Sequence, residues 1–175
     1  SAKAWFRSPE SEVHSAPAER LWTGAKKRPM VEDIRDNLTR VLACMTAAAQ
    51  RSGRTPAAIR LVAVAKTHPA EAVRAAIDAG ATIIGENYIQ EARTKFETLI
   101  HLPAQWHFIG HLQSNKAKYA VRLFQLIHTV DSLGLGAELD RQARKAGKVQ
   151  EILIQVNISR EASKSGVSTA QAIAL

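Results

Sequence analysis

Five short apolar segments, each followed by a stretch with helical periodicity, recur along this chain at a nearly constant interval. The segments are IRLVAVA (59–65), ATIIGEN (81–87), AQWHFIG (104–110), FQLIHTVDS (124–132) and QEILIQVNIS (150–159). Residues near their ends, Lys66, Glu86, Gly110, Asp131 and Asn157, are separated by 20, 24, 21 and 26 positions. Strands alternating with helices make a parallel sheet with right-handed crossovers. Strands that are apolar on both faces are those of a sheet buried on both sides. The intervening stretches carry helix punctuation. A first helix runs from Val31 to about Arg51 and is stopped by Gly53 and Pro56, a second ends at Gly80, and Ser114 is placed to cap the helix after the third strand.

Two architectures use such repeats, an open doubly wound sheet and a (β/α)8 TIM barrel. A doubly wound sheet usually carries a glycine-rich turn after its first strand, whereas the turn here, AKTHPAE, has no glycine. The α/β barrel is therefore the expected fold. Eight units at this repeat length need about 200 residues, in line with the roughly 250 typical of the barrel. Five units fit after residue 58, so the barrel is expected to be truncated after about five strands. An open five-stranded sheet of this kind would leave an unpaired edge and exposed apolar surface.

Residues 1–29 lack periodicity and are rich in Ser, Ala, Pro and charge; they read as a disordered N-terminal extension to a domain spanning 30–175. The net charge of +8 divides into six basic against three acidic residues before position 30 and eighteen against thirteen after it. That spread reads as solvated helix faces rather than a nucleic-acid surface, which would also need aromatic residues for stacking beside the charge. There are nine Phe, Trp and Tyr residues, three of them before residue 30. No apolar run approaches the roughly 18 residues of a membrane span. The single cysteine, Cys44, reads as a small hydrophobe near the buried face of the first helix, and a chain with one cysteine is expected in the cytoplasm.

In a parallel barrel the loops after the strands form the functional face. Lys66 terminates an apolar strand there. Partial desolvation would disfavour its ammonium and free the amine for a Schiff base with an aldehyde. Two blander readings stand beside this one: a lysine reaching out to solvent from a strand end, or one paired with Glu86. His107 and His111 are four apart, but on a strand and its loop rather than a helix, and no zinc motif surrounds them, so no metal is expected. The segment SREASKSG (159–166) has the composition of an anion-binding loop and equally that of a polar turn.

The motifs LVAVAKTHP, GENYIQEARTK, WHFIGHLQSNK, HTVDS and ILIQVNIS followed by KSG occur in this order and spacing. Together they resemble the pyridoxal-phosphate homeostasis protein family. The resemblance implies a barrel of the alanine racemase N-terminal type, with pyridoxal 5'-phosphate held covalently by Lys66. It also implies that Asn87, His107 and Asn157 line the cofactor site and that the phosphate is gripped by loops of later strands. By resemblance the protein is a carrier and buffer of the cofactor, without established catalysis, supplying PLP-dependent apoenzymes; it is expected to be a monomer and, on its charge and hydropathy, to bind neither nucleic acid nor membrane. The alternative on the same fold is a PLP-dependent racemase or decarboxylase of amino acids.

Overall fold

The structure, a computed structural model of the 175-residue chain, describes residues 31–159, 161 and 163–174. The extension assigned to residues 1–29 lies outside the described residues. Helix α1 (Val31–Arg51) precedes five β/α units: β1 (Ala63–Val64), α2 (Ala70–Asp78), β2 (Ile83–Glu86), α3 (Ile89–Leu99), β3 (Gln105–Phe108), α4 (Ala117–Leu123), β4 (Leu126–Val130), α5 (Leu133–Lys145), β5 (Glu151–Ile154) and α6 (Thr169–Ala174).

Among the described residues the four strand pairings are all parallel, and the order is β1-β2-β3-β4-β5. A doubly wound sheet reverses its order at a switch point; this one advances in one direction, as a barrel does. Right-handed crossovers that always advance place successive helices on the same face of the sheet, and α2, α3, α4 and α5 pack against one another in sequence order. The core lies between those helices and the sheet. Ala65, Ile84, Trp106, Phe108, Ile127 and Val130 meet Val73, Ala92, Leu99, Ala120 and Leu139 there. Trp106 packs edge-on against Phe96 of α3 with centroids 5.7 Å apart, and Phe108 lies against Phe124 at 5.2 Å. Side chains buried this fully contribute on the order of 2 kcal/mol each.

Three local expectations are corrected. The first strand, expected over 59–65, is reduced to Ala63–Val64, because among the described residues β1 pairs with β2 alone and Pro56–Ala58 form a 3-10 turn just upstream. Ser114 does not cap a helix with its side chain: Ser114–Lys116 form a 3-10 turn and α4 begins at Ala117. Cys44 is exposed rather than packed, since α1 rests on α2 through a narrow stripe that leaves Val41 and Leu42 over 40% exposed as well.

The expected open edge is visible at β5, where Ile152, Leu153 and Ile154 are 39%, 48% and 40% exposed. Among the described residues no helix is long and apolar enough to cross a membrane.

Candidate functional site

Lys66 sits in a tight turn immediately past β1. The His68 amide donates to the Ala65 carbonyl at 3.1 Å, closing the turn, and Thr67 at its third position has φ 63°. That is the pattern of a type II turn, which favours glycine at this position; a threonine there costs on the order of 1 kcal/mol. The turn carries the Lys66 side chain out of the sheet into an exposed position, so the described residues do not supply the desolvation expected for it.

The turn is held from beneath by ionic side chains. Lys95, buried on α3, donates through Nζ to the Ala65 carbonyl at 2.6 Å and to Glu86 Oε1 at 2.7 Å, with Glu91 Oε2 at 3.8 Å. Glu91 Oε2 in turn accepts from the Thr67 amide at 2.9 Å. Glu86 is 0% exposed. Burial pushes its carboxyl above the ordinary range, the hydrogen bond and charge of Lys95 pull it back, and the nearby Glu91 adds to the rise.

The alternative pairing of Lys66 with Glu86 is thereby corrected. Alternation in β2 sends Ile84 and Glu86 to the helix-covered face, where Lys95 meets the carboxylate. Lys95 is absent from the residues singled out in the sequence. Its signal is position: it falls between Ala92 and Leu99 on the apolar stripe of α3, where a lysine needs a buried anion.

Asn87 follows Glu86 directly. The β1–β2 ladder pairs Val64 with Gly85 and adds a bond from the Ala65 amide to the Gly85 carbonyl at 2.9 Å, so Lys66 and Asn87 follow the C-terminal ends of neighbouring strands. Its side-chain oxygen is buried and has no hydrogen-bond partner among the described residues. A buried acceptor in this state calls for a donor, so the position suits a ligand bearing one. Gly110 allows the backbone of Asn87 to come close: a Cβ on Gly110 would lie 2.1 Å from the Asn87 carbonyl oxygen.

Beyond Asn87 an open cleft of about 530 Å³ spreads over the C-terminal ends of β2 to β5, lined by Asn87, Gly110, His111, Thr129, Asn157 and Lys164 among others. Lys66 is not part of its wall.

Asn157 lies at the far side of that cleft. Its Nδ2 donates to the carbonyls of Glu161 (2.9 Å) and Lys164 (3.1 Å), so its amide ties the following loop into shape. Gly166 closes that loop at φ 122°, where a Cβ would stand 2.8 Å from the Asn157 amide nitrogen. Within the loop Lys164 pairs with Glu161 at 2.7 Å.

His107 is not at the rim. It is the next-to-last residue of β3, 3% exposed, with Nδ1 3.0 Å from His128 Nε2 of β4. Burial, then His128 and Arg60, push His107 down to about 4, and burial with Arg60 also lowers His128. Both rings are neutral near pH 7, one donating to the other. The structure therefore sets Lys66 and Asn87 just past the ends of adjacent strands, puts Asn87 and Asn157 in the cleft wall, from which Lys66 is absent, and keeps His107 inside β3.

These positions acquire context from known proteins. The profile of the family described as alanine racemase, N-terminal domain, matches residues 35–175. The pyridoxal phosphate homeostasis protein of Pseudomonas aeruginosa is 47% identical over 133 residues, covering 76% of this chain and 58% of the relative. The protein of the same name in Escherichia coli is 44% identical over 144 residues, covering 81% of this chain and 62% of the relative. The solved structure of PipY from Synechococcus elongatus with PLP bound is 39% identical with a TM-score of 0.66, covering 81% of this chain and 61% of PipY. The chain thus spans about three fifths of the length of the relatives it matches. The expected resemblance to pyridoxal phosphate homeostasis proteins is borne out. With five parallel β/α units in barrel order and a profile match over most of its length, the chain belongs to the alanine racemase N-terminal domain family.

Proposed function

We propose that this chain holds pyridoxal 5'-phosphate through Lys66 and serves to keep that cofactor bound and available to the apoenzymes that require it, without turning over a substrate. The observation that carries the reading is the exposed Lys66 on a pinned turn at the C-terminal rim of the sheet, past the strand next to the one that Asn87 follows, whose buried amide oxygen has no partner among the described residues. When bound, the cofactor supplies an aldehyde that can condense with a lysine amine. Lys66 would hold the aldehyde carbon, and Asn87 would accept a hydrogen bond from a polar hydrogen of the ligand. Asn157 would act through the loop it organises, and His107, neutral and buried, would support the sheet below. The names of the relatives and the PLP-bound PipY support this assignment.

Titrating the whole protein with pyridoxal phosphate and following the visible absorbance of the lysine-linked cofactor tests it. The wild type should develop the band and Lys66→Ala should not. Full intensity in Lys66→Ala would remove the basis of the proposal.

A further inference from the structure

We propose that Glu91 and Lys95 are positioning residues for Lys66, gripping the backbone on either side of it so that its amine is presented in one direction. The inference rests on the reading of Lys66 as the cofactor lysine. The turn bearing Lys66 is held at two points by a single ionic cluster: the Ala65 carbonyl receives Lys95 Nζ at 2.6 Å, and the Thr67 amide is taken by Glu91 Oε2 at 2.9 Å. Both grips come from α3, the helix that follows the next strand, and Glu86 at the end of β2 locks Lys95 in place at 2.7 Å.

Such an arrangement is more than packing requires. Thr67 is the one non-glycine described residue with a positive φ, and its amide donates to a carboxylate, Glu91 Oε2. A left-handed threonine relaxes unless its surroundings hold it. Forming the linkage replaces the aldehyde C=O by C=N, with the carbonyl oxygen and two amine hydrogens leaving as water. The neutral Lys66 amine must approach the carbonyl carbon along a defined line. A turn that wanders lowers the fraction of correctly aimed amines without removing the binding surface.

Glu91 is the better member to test, because its side chain is 38% exposed while Glu86 is fully buried and Lys95 nearly so. Glu91→Ala and Glu91→Gln in the whole protein would be titrated with two probes, pyridoxal phosphate and pyridoxine 5'-phosphate, which carries an alcohol in place of the aldehyde and cannot condense. Loss of one charge-assisted hydrogen bond corresponds to about a tenfold loss of pyridoxal phosphate affinity in Glu91→Ala. Binding of pyridoxine phosphate should be unchanged. Glu91→Gln, whose amide oxygen can still accept from Thr67, should recover most of the loss.

Wild-type pyridoxal phosphate affinity in Glu91→Ala would overturn the proposal. So would equal weakening of both probes, the mark of general disruption, or failure of Glu91→Gln to recover. If the wild type itself formed no lysine-linked band, the assignment of Lys66 would fall, and this inference with it.

Discussion

Replacing Lys95 by methionine isolates the energetics under the site. Methionine keeps much of the stem volume but leaves Glu86 buried, 0% exposed, without the ammonium that pairs with its Oε1 and with only the Asn87 backbone amide still favouring its charge. Removing one member of a buried ion pair costs about 3 to 5 kcal/mol. The cost has a definite pH dependence. The folded pKa of Glu86 is raised by burial and held down by Lys95, so without Lys95 it rises further. A carboxyl whose folded pKa exceeds its unfolded value destabilises the fold only when ionised. The penalty is absent below the unfolded pKa near 4.3, grows as pH rises and levels off above the folded pKa, by about 1.4 kcal/mol for each tenfold gain in the carboxylate's proton affinity on folding.

Urea unfolding of wild type and Lys95→Met at about pH 5 and about pH 8 reads this directly. The variant should lose about 3 kcal/mol or more at the higher pH and distinctly less at the lower. Adding Glu86→Gln should recover much of the loss, because a neutral amide replaces the stranded charge. A deficit under about 1 kcal/mol at the higher pH, or one independent of pH, would refute the reasoning.

Two further outcomes follow from the same geometry. His107 is held down to about 4 against an ordinary 6.5, so the folded state takes up fewer protons than the unfolded one. Stability is full above the unfolded pKa and is lost as pH falls from 6.5 toward 4, by at most ~3 kcal/mol. Chemical denaturation of His107→Gln over that window should show a flatter acid limb, though not a flat one, because His128 is lowered too. Gly110→Ala forces a methyl against the Asn87 backbone, 2.1 Å away before any movement, and should cost about 1 to 3 kcal/mol in thermal or urea unfolding. It should also weaken pyridoxal phosphate binding by displacing Asn87.

Much of this architecture is written in local patterns. The spacing of apolar segments predicts five parallel strands, and the period of α1 marks Val31–Arg51 from end to end. Gly80 is legible as a helix stop because a φ of 108° suits glycine. Where a residue's fate depends on what packs over it, local pattern is insufficient. Val41, Leu42 and Cys44 follow the helical period, yet α1 buries only a narrow stripe. The first strand is shorter than its apolar run because strand pairing needs neighbours, which a run of Leu and Val does not reveal.

At the site, Lys66 is readable from its place behind an apolar strand, and Asn87 from its place after β2. The cluster beneath them is not, because it joins Ala65 to Lys95 across 30 positions and depends on the direction in which β2 turns Glu86. His107, expected at the rim, lies inside the sheet. It is the next-to-last residue of β3, three positions before Gly110, and only the partner strand shows that it meets His128.

The central claim is that one particular lysine carries the cofactor, and it can be read covalently. Incubating the whole protein with pyridoxal phosphate, reducing with borohydride and mapping the peptides by mass fixes which amine was linked. The account predicts a pyridoxyl group on Lys66 at near-stoichiometric yield, with Lys95 unmodified because its ammonium is buried and bonded to Glu86 and Ala65. Label spread over surface lysines, or concentrated on any lysine other than Lys66, would contradict it.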